Sequence, residues 1–248
     1  MPQPFEIIDD RPTAIGLIVL ETDELIEPEV DQFFGHLKQR VYHTRIASAP
    51  DVTPETLAKM ADGMTASASQ LPKGCGIGAI GYGCTSGATV IGEDRVASLI
   101  GAAHPGMPAS NPMSALLAAC SALGVQKLGL LTPYVMNVSQ ALIARLEKAG
   151  IEVSDFLTYE QVEETTVTRI APSSTRDALV QIGQGECDAV FASCTNLRAW
   201  EIVDEVEAAI NKPMLCSNQV LAWHLLRLSG GTETPQGFGR LFEAPLDG

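Results

Sequence analysis

Two Cys-Thr pairs are the groups in this chain best placed to do chemistry. Cys84 sits in Gly83-Cys84-Thr85-Ser86-Gly87, and Cys194 in Ala192-Ser193-Cys194-Thr195-Asn196-Leu197. Each follows a short apolar run, Gly78-Ala79-Ile80-Gly81 in one case and Ala189-Val190-Phe191 in the other, and each leads through small polar residues into a helical pattern. A thiol at the end of a strand and the start of a helix lies where free backbone amides and the helix dipole favour its thiolate. The hydroxyls and amides that follow it can bind a carboxylate or enolate oxygen. Two such thiols facing each other do more. One removes a proton from, or attacks, one face of a planar carbon, and the other delivers a proton to the opposite face. Either Cys-Thr alone would read as a small buried hydrophobe. Their matched settings, 110 positions apart in a chain of 248, favour the paired chemistry.

Positioning the two thiols requires two similar units. Strands are expected at Ala14–Leu20, Val41–Ala47, Gly76–Gly81, Lys127–Leu131, Ile151–Leu157, Asp188–Ala192 and Pro213–Cys216. Helices are expected near Pro28–Lys38, Pro54–Leu71, Ala88–Gly101, Pro112–Leu123, Val138–Ala149, Ser174–Gln184, Leu197–Ile210 and Gln219–Ser229. Thr53-Pro54-Glu55 has the order of a helix start, and Gly124 and Gly150 stand where C-terminal glycines belong. This alternation predicts α/β architecture: two Rossmann-like, flavodoxin-like parallel-sheet halves related by a pseudo-two-fold axis, with the site between them. The first half takes residues 1–116 plus 219–248, and the second residues 117–218.

Composition narrows the function. Sixteen basic against thirty acidic residues give a net charge of −14, with no basic cluster for nucleic acid or anionic lipid. No apolar run approaches the ~20 residues of a membrane span, and the acidic N-terminus does not read as a signal peptide. A cytoplasmic protein with free thiols is expected, with no metal and no cofactor, since there is no Cys-x-x-Cys and the four His are scattered. Cys75, Cys120, Cys187 and Cys216 read as structural, and His104 as a solvent-facing loop residue. Arg169 and Arg198 have the geometry of carboxylate clamps, but ordinary helix-end roles are favoured. Gly76, Gly78 and Gly81 match a dinucleotide fingerprint in letters only, because they lie within a strand. Ala-rich helices with apolar faces point to a homo-oligomer.

Taken together, the two cysteine motifs resemble those of the aspartate/glutamate racemase superfamily, in the branch holding maleate cis-trans isomerase and arylmalonate decarboxylase. Gly16–Leu20 followed by Glu27-Pro28-Glu29, Leu130–Tyr134, and Pro213–Gln219 with Trp223 also resemble that branch in order and spacing. The resemblance implies that Cys84 and Cys194 are the catalytic pair. It also implies that Thr85, Ser86, Tyr134, Thr195 and Asn196 bind carboxylate oxygens. Thr22 and Asp23 fall where maleate isomerases carry an Asn, a departure that argues against plain maleate and suits an amine or hydroxyl on the substrate. Arylmalonate decarboxylase has Gly at the position of Cys84, so two cysteines favour isomerisation. Leu20-Glu21-Thr22-Asp23-Glu24 and Tyr82–Gly87 resemble the racemase-like proteins of ectoine utilisation, which implies an ectoine-derived amino or hydroxy acid. The expected function is a cofactor-independent racemase or isomerase of a small carboxylic acid. A malonate-type decarboxylase and a non-catalytic carboxylate-binding protein are the alternatives.

Overall fold

Every side chain of Ala14–Leu20 is buried, as only a strand covered on both faces allows. In the computed structural model, which describes residues 2–8 and 12–246, this strand, β1, is an inner strand of the first of two sheets. Beside it lie β2 (Arg40–Ile46) and β3 (Ile77–Gly83), with β4 (Ala109–Ser110) beyond β3. The second sheet has β5 (Lys127–Tyr134) and β7 (Ala189–Ala192) inside, and β6 (Glu152–Gln161) and β8 (Met214–Cys216) at its edges. The orders are β2-β1-β3-β4 and β6-β5-β7-β8, and all neighbouring strands are parallel. Strand for strand the two halves correspond, β1 with β5 and β3 with β7. The expected pair of flavodoxin-like sheets is the architecture observed.

The helices are α1 (Ile26–His36), α2 (Pro54–Ser69), α3 (Thr85–Ile91), α4 (Glu93–Ala103), α5 (Pro112–Leu123) and α6 (Met136–Lys148), followed by α7 (Glu164–Val167), α8 (Pro172–Gly183), α9 (Val203–Ile210) and α10 (Ser217–Leu228). Three differ from expectation. The single helix expected over 88–101 is broken into α3 and α4 at Gly92, whose φ of +92° no helix accommodates. The helix expected from Leu197 opens instead as a turn and a 3₁₀ segment, Trp200–Ile202, before α9 begins. The four-residue α7 and the two-residue β4 are too short to leave a periodic signal. At α2, Thr53 Oγ1 accepts the Thr56 amide at 3.2 Å while Thr56 Oγ1 accepts the Thr53 amide at 3.0 Å, a reciprocal cap closed by Thr56 rather than by Glu55.

The last helix returns to the first sheet. α10 packs on β3 and α5, and it can approach because β3 offers Gly81, where a Cβ would lie 2.8 Å from Leu225 Cδ1. The division expected after residue 116 falls inside α5. Trp223, fully buried on α10, donates its indole N–H to the Ala244 carbonyl at 3.1 Å and so holds the C-terminal segment down. Among the described residues, no helix is long and apolar enough to cross a membrane.

α1 and α10 are joined by a bond from Asn218 Nδ2 to Glu29 Oε2 at 2.6 Å. Burial pushes the Glu29 carboxyl up from 4.5 to about 7, against the opposing pull of Asn218. Between those two values the folded protein holds a proton that the unfolded chain has released, so stability falls as pH rises through this window. Glu29→Gln removes that dependence. Urea unfolding from pH 4.5 to 7.5 is expected to show wild-type stability declining relative to the variant by at most about 3 kcal/mol, less where groove water screens the charge. Parallel curves would show that Glu29 titrates alike in the folded and unfolded states.

Candidate active site

The C-terminal ends of strands from both sheets converge on one pocket. Thr22 and Asp23 follow β1, Cys84, Thr85 and Ser86 follow β3, Tyr134 ends β5, and Cys194, Thr195 and Asn196 follow β7. All nine residues singled out in the sequence line this pocket, together with Leu20, Val52, Leu57 and Glu164. Parallel α/β sheets bind ligands at this edge. About 310 Å³ of the pocket, counting the part open to solvent, is unfilled by atoms. The pocket is covered by loops from the two halves, which meet where Asp51 bridges Glu163 and the Val52 amide approaches the Val162 carbonyl at 3.4 Å.

The two thiols are held differently. Cys84 is the N-cap of α3, and its Sγ accepts the Gly87 amide at 3.2 Å. Only glycine fits there, since a Cβ on Gly87 would lie 2.6 Å from the Tyr82 hydroxyl and 2.9 Å from Cys84 Sγ. Cys194, by contrast, does not start a helix, which corrects the expectation of matched helix N-termini. Its φ of +135° is one that residues with a side chain rarely adopt, a local cost of about 1–3 kcal/mol that surrounding bonds must offset. Ser217 Oγ accepts the Cys194 amide at 2.9 Å, and the Asn196 amide donates to Cys194 Sγ at 3.2 Å. Ser217 Oγ also lies 2.8 Å from Thr85 Oγ1, so one hydroxyl at the start of α10 touches both cysteine motifs.

Neither sulfur is the readily formed thiolate that the sequence suggested. Burial pushes Cys84 up to about 12, with the Gly87 amide opposing and the Glu164 charge adding to the rise. Burial and then Glu164 drive Cys194 well above the ordinary thiol range, although Tyr134 and the Asn196 amide pull the other way. The physical reason lies in the lining, which contains two carboxyls and no Lys, Arg or His. Both carboxyls are themselves raised by burial. Asp23 Oδ1 accepts the Leu25 and Ile26 amides, each at 2.9 Å, and Oδ2 accepts the Thr195 hydroxyl at 2.7 Å. Glu164 Oε1 accepts the Tyr134 hydroxyl at 2.6 Å, and Oε2 the Asn196 side-chain amide at 3.4 Å. Tyr134 Oη is also 2.9 Å from Cys194 Sγ. Asn196 ties the halves together further, its Oδ1 accepting the Glu24 amide at 2.9 Å and its Nδ2 donating to the Thr22 carbonyl at 3.3 Å.

Glu164 is the residue that sequence reading missed. Glu163-Glu164-Thr165 looks like a solvated acidic turn. Extending the internal repeat from β3 and β7 to every strand end would have pointed to it, because the segment after β6 mirrors the one after β2. Other candidates lie elsewhere. Arg169 bonds the Thr165 carbonyl and Arg198 the Thr168 carbonyl, and neither lines the pocket. His104 is buried rather than solvent-facing, its Nε2 being 2.8 Å from the Ala68 carbonyl, because the end of α4 packs beside α2. Cys120, Cys187 and Cys216 are buried and Cys75 is partly exposed. Among the described residues, no cluster of His, Cys, Asp and Glu is arranged to hold a metal ion.

The chain is similar to proteins of known activity. Maleate isomerase of Geobacillus stearothermophilus is 23% identical over 228 residues, covering 86% of this chain and 90% of that enzyme. Arylmalonate decarboxylase of Bordetella bronchiseptica is 26% identical over 141 residues, which span 56% of this chain and 59% of that enzyme's length. A solved Nocardia farcinica maleate cis-trans isomerase variant with a covalently bound succinylcysteine intermediate shares the fold, with a TM-score of 0.85 at 23% identity over 93% of this chain and 98% of that one. The profile of the arylmalonate decarboxylase family matches residues 15–242, nearly the whole chain. With both cysteine motifs inside that match, this chain belongs to the arylmalonate decarboxylase family, in which it is similar to maleate isomerases as well as to the decarboxylase.

Proposed function

We propose that the protein is a cofactor-independent isomerase, a racemase or cis-trans isomerase, of a small carboxylic acid, with Cys84 and Cys194 as its acid/base or nucleophilic pair. The observation that carries this reading is that both sulfurs line one pocket from equivalent strand ends of two similar sheets. A planar carbon held between them meets a proton acceptor on one face and a proton donor on the other. The succinylcysteine in the Nocardia enzyme supports a covalent variant, in which one thiolate adds to an alkene and the other thiol protonates the neighbouring carbon. Thr85 and Ser86 are proposed to receive the substrate carboxylate, while the Tyr134 hydroxyl is engaged with Glu164 and Cys194. Thr22, Asp23, Thr195 and Asn196 are bonded to one another or to neighbouring backbone across the two halves, and are proposed to set the distance between the thiols. Because the loops at 51–52 and 162–163 meet over the pocket, the substrate is proposed to enter as they part and to be covered as they close.

The lining also bears on the substrate. A plain dicarboxylate would bring two negative charges to Asp23 and Glu164 with no cation to receive them. An amino or hydroxy acid offers donors instead. The second reading, decarboxylation with Cys194 protonating the enediolate, is favoured by the family match itself.

Cys84→Ser and Cys194→Ser are each expected to lower turnover by about 10²–10⁴-fold, and racemisation in D₂O is expected to place deuterium on the inverted carbon. Release of CO₂ that needs only Cys194 would replace this reading with the decarboxylase. In a screen of amino, hydroxy and dicarboxylic acids, kcat/KM for an amino or hydroxy acid is expected to exceed that for maleate by at least about tenfold. Maleate turned over as well as any of them would show that the two carboxyls are no barrier to a dianion.

A further inference from the structure

Resting on the reading above, one feature separates the two thiols. A thiolate formed alone in this pocket would add a buried negative charge with no cation in the lining to receive it. Cys194 has a way around that cost. Tyr134 donates its hydroxyl proton to Glu164 Oε1 at 2.6 Å, and its oxygen lies 2.9 Å from Cys194 Sγ. Since the tyrosine proton is directed at the carboxylate, the proton between oxygen and sulfur is the thiol's own. The result is an unbroken chain from sulfur through phenol to carboxylate, all buried.

We propose that Glu164 stores the proton of Cys194, acting through Tyr134. When Cys194 becomes a thiolate, its S–H proton moves to the Tyr134 oxygen as the Tyr134 O–H proton moves to Glu164. The S–H bond and one phenolic O–H bond break, a new phenolic O–H bond and a carboxylic O–H bond form, and sulfur keeps the electron pair. The negative charge passes from carboxylate to sulfur inside the same dry space, so no further charge is desolvated. The reverse transfer restores the thiol.

Other titratable groups facing this chain do not substitute for Glu164. Both oxygens of Asp23 are taken up by the Leu25 and Ile26 amides and the Thr195 hydroxyl. Cys84 has only a partial counterpart of the chain. Its neighbour Tyr82 donates to Met60 Sδ at 3.4 Å, a thioether that stores no proton. Cys194 is therefore the thiol supplied by the protein with a proton outlet, and Cys84 the one that is not.

The test requires no substrate, so its failure is separate from failure of the isomerase reading. Full-length wild type, Glu164→Gln, Glu164→Asp and Tyr134→Phe are alkylated with iodoacetamide across roughly pH 6 to 9. Rates at Cys194 and Cys84 are read by peptide mass spectrometry, with circular dichroism checking each fold. A shared proton predicts a nearly flat Cys194 rate across this range in wild type. Glu164→Gln and Tyr134→Phe are each expected to slow Cys194 by at least about tenfold at pH 7 and to make its rate climb with pH, as for an ordinary thiol. Glu164→Asp is expected to recover part of the plateau, and Cys84, relieved of the Glu164 charge, not to slow in Glu164→Gln. If Glu164 were only a neighbouring negative charge, removing it would speed Cys194 alkylation. That result, an unchanged profile, equal effects on both cysteines, or a wild-type Cys194 inert at every pH would overturn the proposal.

Discussion

The site depends on a scarcity of positive charge. Two thiols and two carboxyls share a buried pocket that no cationic side chain lines. Burial raises all four groups, so at most a few of them can be charged at once. What compensates is a dense set of donors: the Gly87 and Asn196 amides on the two sulfurs, and the Leu25 and Ile26 amides with the Thr195 hydroxyl on Asp23. Hydrogen bonds of this kind stabilise a localised charge more strongly in a dry pocket than in water.

The fold supplies the symmetry and the loops break it. Sheets of identical order bring β3 and β7 to the same edge, so a thiol after each strand faces the common pocket. Beyond that point the halves diverge. Cys84 caps a short helix, whereas Cys194 sits at a φ of +135° held by Ser217 and Asn196. Tyr134, and through it Glu164, is hydrogen-bonded to Cys194 and not to Cys84. The two thiols differ in backbone, in donors and in access to a carboxylate.

Much of this was legible in the sequence because it depends on local pattern. The buried strands Ala14–Leu20 and Ala189–Ala192 read as continuous apolar runs, and the repeated Cys-Thr located both thiols and the residues beside them. What could not be read depends on tertiary placement. Glu164 lies in an acidic stretch that looks solvent-exposed, and it becomes a site residue only because β6 ends beside β5 and Tyr134 reaches it. The direction of the thiol shifts was likewise misjudged. A helix start predicts a favoured thiolate, but full burial beside two carboxyls outweighs one backbone amide at Cys84. At Cys194 the expected helix begins only after a turn and a 3₁₀ segment, so no helix start lies beside the sulfur. Short elements such as β4 and α7 leave no periodicity to find.

The central claim is that Cys84 and Cys194 face one shared pocket. The most direct measurement is the number of iodoacetamide adducts on intact protein carrying Cys75→Ser, which removes the partly exposed thiol. Cys120, Cys187 and Cys216 are buried away from the pocket. A single adduct per chain, found on Cys194 or Cys84 but never on both, is the predicted result. Chains carrying adducts on both cysteines would contradict a shared cavity.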